Sequence, residues 1–159
     1  MKKELLKATL LVVLCSVTLM TGCSKDEEFV SAQEQLERDI VIIDQYLLDN
    51  NITAIEHESG LRYVIDVEGT GQSPDINDQV RVNYEGRLLS SGSVFDSNED
   101  ISFPLTNVIS GWQIGIPFFK EGGSGTLYIP SGWAYGRNGQ NTIPGNAILI
   151  FDIDLLEVI

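Results

Sequence analysis

The sequence contains few of the residues that enzymes commonly use as nucleophiles, bases or metal ligands. Its 159 residues include one histidine, His57, and two cysteines, Cys15 and Cys23. It has no GxSxG motif and no glycine-rich phosphate loop that ends in Lys-Ser or Lys-Thr. These absences exclude histidine–cysteine metal sites and Ser-His or Cys-His nucleophilic catalysis. We therefore expect no metal and no cofactor.

Basic residues are also scarce. The chain has 10 Lys and Arg against 23 Asp and Glu, a formal net charge of −13. Protein surfaces that bind nucleic acid need a basic patch to contact the phosphates. No such patch can be assembled here, so a nucleic-acid partner is excluded. The negative charge favours solubility and weak self-association.

Only one long apolar run occurs, and it lies near the N-terminus. The run ATLLVVLCSVTLM follows Lys2, Lys3 and Lys7 and is too short to span a bilayer comfortably. The next segment, MTGC, resembles a bacterial lipobox. We predict that residues 1–22 form a lipoprotein signal peptide and that Cys23 is lipidated and anchors the chain to a membrane. No cysteine would then remain for a disulfide within the chain.

Residues 23–31 are predicted to form an acidic tether after the lipidated cysteine, because the run SKDEE does not favour collapse. A lysine followed by acidic residues also resembles the export tag of surface-displayed lipoproteins. We expect a cell-envelope location, as an outer-membrane lipoprotein of a Gram-negative bacterium. The domain would face the cell exterior if the tag acts, and the periplasm otherwise.

Residues 32–51 show helical periodicity. One apolar stripe consists of Leu36, Ile40, Ile43 and Leu47. Arg38, Asp39 and Asp44 lie off this stripe, and Asn50-Asn51 is suited to end the helix, because Asn tolerates positive φ. An isolated helix cannot bury such a stripe. We expect the helix to dock on the domain that follows, with a homodimer through this helix as the alternative.

Beyond residue 55 the period changes from 3.6 to 2, which indicates strands. Strands are predicted at 61–67, 80–84, around 103–105, at 126–129 and at 147–158. Ser110 is predicted to open a short helix with Gln113 in a capping box, and Pro117 should distort or end that helix. The fold class is α+β, with an antiparallel sheet wrapped around one short helix.

Two further features bear on function. Asp96, Glu99 and Asp100 form an acidic cluster that we interpret as a solvated turn, with a carboxylate pair for glycoside cleavage or a calcium site as the alternatives. Large apolar residues also occur in the long loop near 129–146, including Tyr135 and Ile143. Loops normally lie in water, so these side chains need a surface to cover.

Five motifs occur in order along the chain: VNYEGRL, GSVFDS, VISGW, IPSGWAYG and TIPGNAILIFDIDLLEV. Together they closely resemble the FK506-binding-protein family of peptidyl-prolyl isomerases, over residues 59–159. The resemblance places a domain at 55–159 and implies an apolar pocket between the sheet and the short helix. It implies that residues 135–146 form a flap over that pocket. A helix before such a domain is also similar to FKBP-type lipoproteins of bacteria.

The resemblance assigns roles to ten pocket residues. Trp112 matches the floor, Asp96 the polar rim, and Tyr135 the hydroxyl that holds a ligand carbonyl. The backbone amide of Ile109 matches a second donor, and Ile143 is expected to face the ligand. The walls are expected to be Tyr84, Phe95, Val108, Ile109 and Phe151. Ile101 stands two residues before Phe103, at the position where the family often has an aromatic wall residue.

The activity implied by the resemblance is cis–trans isomerisation of Xaa-Pro bonds in exported proteins, without a covalent intermediate. Proline-containing polypeptides are then the substrates, and FK506-like macrolides the inhibitors. A non-catalytic module that docks proline peptides is the alternative. Departures from the family pattern are Ile101, Thr106, Pro117 and a slightly shortened flap with Arg137, Asn138 and Gln140.

Overall fold

The computed structural model describes residues 30–159, and these form a six-stranded antiparallel sheet with two α-helices. The predicted signal peptide, Cys23 and nearly all of the predicted tether lie outside the described residues. The elements are α1 (Ala32–Asp49), β1 (Ile55–Glu56), β2 (Arg62–Val67), β3 (Gln79–Leu88), β4 (Val94–Pro104), α2 (Ser110–Gly115), β5 (Gly123–Ile129) and β6 (Leu149–Val158). Within residues 30–159, no helix is both long and apolar enough to cross a membrane.

The strands lie in the order β1-β2-β5-β6-β3-β4, and each pair is antiparallel. The main core lies between the inner face of this sheet and α2. Gly111 and Gly115 allow α2 to approach β5, since a Cβ on either glycine would lie within 2.6 Å of Ile129 or Leu127. The sheet wrapped around a short helix confirms the predicted fold class.

Helix α1 packs on the opposite, outer face of the sheet. A capping box starts the helix: Glu34 N–H donates to Ser31 Oγ, and the Glu34 carboxylate accepts from Ser31 N–H. At the other end, Asn51 takes a positive φ of 55°. The buried Ile43 and Leu47 form a second core with Tyr128, Ile148 and Ile150. The helix therefore docks on the domain of its own chain.

The apolar run at the start of β6 has two covered faces. Leu149 and Phe151 join the main core, whereas Ile148 and Ile150 pack with α1. A strand that is buried on both faces loses its polar alternation. Towards the C-terminal end of β6, beyond the reach of α1, the outer face becomes polar at Asp152 and Asp154.

Two charged residues that the sequence pattern places off the apolar faces of α1 and β2 are buried where α1 meets the sheet. Asp39 is 1% exposed and Arg62 is 6% exposed. The Arg62 guanidinium donates to both carboxylate oxygens of Asp44, at 2.9 and 3.2 Å. Conversely, Val67 is exposed because the pairing of β2 with β5 is irregular between Ile65 and Val67. In each case a partner that is distant in sequence, and not the local pattern, determines whether the side chain is buried or exposed.

Two local predictions are wrong, and a third is confirmed. Asp96, Glu99 and Asp100 do not form a turn, because β4 extends through them and pairs with β3. Ser110 is not a cap: the N-cap of α2 is Ile109, which has no side-chain hydrogen bond. The Gln113 side chain instead donates to the carbonyl oxygen of Val108 at 2.9 Å, so no capping box forms. The predicted effect of Pro117 is confirmed, because α2 ends at Gly115 and Pro117 lies in a 3-10 turn, Ile116–Phe118, that directly follows.

Candidate active site

A cavity of about 330 Å³ opens between the inner face of the sheet, the start of α2 and the loop after β5. Most of its lining is aromatic or aliphatic. The lining residues are Tyr84, Phe95, Asp96, Phe103, Asn107, Val108, Ile109, Trp112, Tyr135, Gln140 and Phe151. Eight of the ten residues that the sequence assigned to the pocket therefore surround one cavity.

Trp112 lies at the bottom of this cavity, in the first turn of α2, and is 3% exposed. Three rings stand edge-to-face against its indole: Tyr84 at 5.2 Å, Phe151 at 5.3 Å and Phe103 at 6.0 Å between ring centroids. Such T-shaped pairs are favoured by the ring quadrupoles. The buried Trp112 Nε1 has no nitrogen or oxygen partner within the described residues. The floor is therefore closely packed and almost free of polar contacts.

The wall opposite α2 depends on a glycine in β3. The rings of Phe95 and Phe151 meet edge-to-face at 5.6 Å, directly over Gly86. A Cβ at Gly86 would lie 2.6 Å from Phe95 and 2.7 Å from Phe151. The absence of a side chain at this position lets both rings line the pocket.

One edge of the pocket carries a short hydrogen-bond chain across β3 and β4. The Tyr84 hydroxyl donates to Asp96 Oδ2 at 2.6 Å and accepts from Asn98 Nδ2 at 3.0 Å. Burial, together with the hydrogen bond to Asp96, raises the pKa of Tyr84 to about 12. Tyr84 therefore stays neutral at physiological pH. Asn98 has no signal in the sequence pattern, because its partner lies 14 residues away on the adjacent strand.

The loop after β5 supplies the remaining side of the pocket. Burial, and to a lesser extent the charge of Asp96, raises the pKa of Tyr135, so this phenol also remains protonated. An isolated bridge between Gln140 and Ile143 and a 2.8 Å bond from Asn146 N–H to Gly136 O close the loop on itself. Tyr135 and Ile109 both line the cavity, and each carries a hydrogen-bond donor, the phenol O–H and the backbone N–H. Two donors are therefore available at the pocket.

Two of the predicted substrate-binding residues do not line this cavity. Ile143 is 8% exposed and belongs to the main core beneath the loop, and Ile101 packs against that core from β4 opposite Val82. Both side chains therefore pack with the core and do not line the pocket. The ring near this position comes from Phe103, two residues further along the same strand. Sequence reasoning also missed Asn107 and Gln140, which are polar loop residues without a periodic signal.

The arrangement can bind an apolar ring and hold flanking carbonyls, but it does not provide acid–base chemistry at the floor. Asp96 accepts from Tyr84, and Asp100 pairs with Arg81 at 2.6 Å. No group of three His, Cys, Asp or Glu side chains within residues 30–159 could hold a metal ion. A larger groove of about 630 Å³ on the outer sheet face is lined mainly by acidic and amide side chains and lacks an aromatic floor.

Comparison with known proteins agrees with this geometry. A model of the FKBP-type peptidyl-prolyl cis-trans isomerase family matches residues 70–156, which is more than half of the chain. The chain belongs to this family. The match begins after α1, β1 and β2, so these elements lie outside it.

Similar curated proteins carry related names. The chain is 46% identical over 105 residues to the probable FKBP-type peptidyl-prolyl cis-trans isomerase FkpA of Neisseria meningitidis, covering 63% of this chain and 38% of that protein. It is 44% identical over 105 residues to the peptidyl-prolyl cis-trans isomerase Mip of Coxiella burnetii, covering 63% of this chain and 45% of that protein. The chain thus spans less than half the length of these relatives.

Solved structures extend the similarity to about four fifths of the chain. The crystal structure of FkpA from Escherichia coli superposes with a TM-score of 0.68 at 34% identity, covering 79% of this chain and 63% of that one. A peptidyl-prolyl cis-trans isomerase from Pseudomonas syringae pv. tomato superposes with a TM-score of 0.69 at 30% identity, covering 81% of this chain and 96% of that one.

Proposed function

We propose that this protein catalyses cis–trans isomerisation of Xaa-Pro bonds in exported polypeptides. The observation that carries the proposal is the aromatic pocket floored by Trp112, with the Tyr135 hydroxyl and the Ile109 N–H as available donors. The pocket has the size and character to take a proline ring. Its donors are of the kind that would hold the carbonyls on either side of that ring.

The chemistry requires no nucleophile and no covalent intermediate. The barrier to rotation is about 18–20 kcal/mol because the amide nitrogen is conjugated with the carbonyl. Twisting breaks this conjugation and reduces the charge separation of the planar amide. An apolar pocket therefore stabilises the twisted state relative to the planar one. Tyr135 and Ile109 hold the flanking carbonyls, while the rings of Tyr84, Phe95 and Phe151 fix the proline ring.

An assay on Xaa-Pro peptides, with Leu or Phe before proline and with or without FK506, tests this proposal. Acceleration of cis-to-trans exchange that FK506 abolishes is the expected result. Binding of FK506 without acceleration would replace the enzyme by a module that docks proline peptides. Absence of both FK506 binding and acceleration would contradict the assignment of the pocket, and the function would then lie elsewhere on the surface.

We further propose that the protein is an outer-membrane lipoprotein anchored through Cys23. The basic start, the apolar run and the MTGC segment support this proposal. Cys23→Ala should abolish incorporation of labelled fatty acid and release the chain from membranes, whereas Cys15→Ala should do neither. Protease added to intact cells should remove the domain if the segment SKDEE directs it outward. Full protection would place the domain on the periplasmic side.

We also propose that the protein forms a homodimer through α1. The outer face of this helix exposes Val41, Ile42 and Leu48, whereas its inner face is already buried against the sheet. Sedimentation of wild type and of Val41→Glu with Leu48→Glu tests the dimer. A wild-type dimer that the double substitution dissociates is expected. A monomer at all accessible concentrations would contradict it.

A further inference from the structure

The most deeply buried charged side chain among the described residues belongs to α1 rather than to the pocket. Asp39 is 1% exposed. Its Oδ2 accepts from Ser131 N–H at 2.7 Å and from Ser131 Oγ at 2.6 Å, and its Oδ1 accepts from Gln35 Nε2 at 2.7 Å. A buried carboxylate is costly unless such donors satisfy it. An apolar residue could fill this position on the packed face of α1. The presence of a buried carboxylate there calls for a specific role.

The partner of Asp39 lies at the start of the loop that carries Tyr135. Ser131 is 0% exposed and opens a 3-10 turn, Ser131–Trp133, directly after β5. Within this turn Ala134 N–H donates to Ser131 O at 3.1 Å. Trp133 Nε1 donates to Ser59 O at 2.8 Å and forms a second attachment. The entry to the loop is therefore held from the side of α1, and Tyr135 follows one residue after Ala134.

We propose that Asp39 is a positioning residue for the pocket. Through Ser131 it holds the turn that aims Tyr135 at the cavity, so α1 is part of the functional site although it lies outside the region that the family model matches. The kinetic consequence rests on the isomerase function proposed above. The structural consequence, an ordered start of the loop, does not depend on that function.

A purely structural role for Asp39 would be to fasten α1 to the domain. Asp44 provides the matched control, because it lies on the same helix and fastens α1 to Arg62 of β2 without touching the loop. Asp44→Ala should weaken the attachment of α1 alone. Asp39→Ala should weaken that attachment and also release the loop entry. Any effect that Asp39→Ala shows beyond Asp44→Ala is therefore transmitted through Ser131.

The experiment uses the full chain with Asp39→Ala, Asp39→Asn, Ser131→Ala and Asp44→Ala. Amide hydrogen exchange is measured over residues 131–139, and kcat and KM are measured on an Xaa-Pro peptide. Asp39→Ala should speed exchange at 131–135 by about tenfold and lower kcat/KM by about tenfold. Ser131→Ala should act in the same direction but less, because the backbone N–H still donates to Asp39.

Asp39→Asn should keep most of the slow exchange at 131–135 and most of kcat/KM. The Asn Oδ1 can accept both hydrogen bonds from Ser131, while the Gln35 side chain reorients. Asp44→Ala should leave loop exchange and kcat/KM within about twofold of wild type even as the melting temperature falls. Tyr135→Phe should have a smaller effect in the Asp39→Ala background than in wild type, since a displaced hydroxyl contributes less.

Equal behaviour of Asp39→Ala and Asp44→Ala in both measurements would overturn the inference. If Asp39→Ala does not fold, Ser131→Ala decides, and unchanged exchange at 131–135 in that variant would overturn it as well. A wild-type chain without isomerase activity would contradict the proposed function, but the exchange measurement would still decide whether Asp39 orders the loop.

Discussion

The Tyr135 side chain contributes to the pocket through one hydroxyl group. The raised pKa of Tyr135 keeps this hydroxyl protonated as a donor. We predict that Tyr135→Phe lowers kcat/KM by about two- to tenfold, the value of one neutral hydrogen bond. The urea midpoint should stay unchanged because the ring still packs. Full turnover by this variant in the peptide assay would show that the hydroxyl has no role.

Trp112 serves both the pocket and the core, since three aromatic rings pack on its buried indole. Trp112→Ala should cost about 3–5 kcal/mol of unfolding free energy and should abolish measurable isomerisation. Leu155→Ala is the matched control, because Leu155 is buried in the same core but does not line the cavity. It should lower the denaturant midpoint yet keep kcat/KM while folded. Equal loss of activity in both variants would mean that Trp112 acts only through stability.

At the scale of elements, we expect the contact between α1 and the sheet to weaken in alkali. Tyr128 projects from β5 towards α1, with its ring centroid 6.1 Å from that of Tyr46. Burial raises the pKa of Tyr128 to about 12. A phenol with a folded-state pKa above its unfolded value favours the folded state below pH 10, and this contribution is lost as pH rises towards 12.

We therefore predict that the free energy of unfolding falls between pH 10 and pH 12. Tyr128→Phe should reduce the slope of this fall, since it removes one of the two titrating phenols. Tyr84→Phe should also reduce the slope, because it removes the other. Urea titrations across this pH range measure the slope. Identical slopes in wild type and Tyr128→Phe would contradict the assignment to the α1 contact.

The same element shows why local pattern and final burial differ. The capping box of α1 and its end near Asn50 depend on residues three or four positions apart, so sequence spacing can predict them. The burial of Asp39 depends on Ser131, 92 residues away. A helical wheel places Asp39 beside the apolar stripe and contains no information about that partner.

At the scale of the whole molecule, charge should select among substrates. The chain carries 23 acidic against 10 basic residues, and the outer groove with Glu85, Glu99, Asp152 and Asp154 adjoins the pocket at Tyr84. We predict that an Xaa-Pro peptide with flanking lysines is turned over roughly tenfold faster, in kcat/KM, than one with flanking glutamates at low salt. The ratio should approach one in about 1 M NaCl, where screening is nearly complete. A ratio that salt leaves unchanged would exclude electrostatic steering.

Much of the pocket could be identified from the sequence because the family motifs place its residues at fixed positions. Trp112, Tyr135, Tyr84 and Phe95 lie where those motifs put them, and all line the cavity. Two assignments, Ile101 and Ile143, missed the cavity. Ile101 lies outside the five motifs, whereas Ile143 lies inside one of them and is nevertheless buried in the main core. A motif therefore specifies the residue at a position but not always the surface against which its side chain packs.

The sequence by itself determined the α+β class, the amphipathic α1 and the aromatic floor, because each depends on periodicity or on contiguous motifs. The tertiary structure alone decided that β4 continues through Asp96 and Asp100, that Phe103 supplies a ring, and that α1 covers the start of β6. It also joined Asp39 to Ser131 and Arg62 to Asp44. The physical reason is that burial and hydrogen bonding depend on partners brought together by folding, and these partners are separated by 18 to 92 residues along the chain.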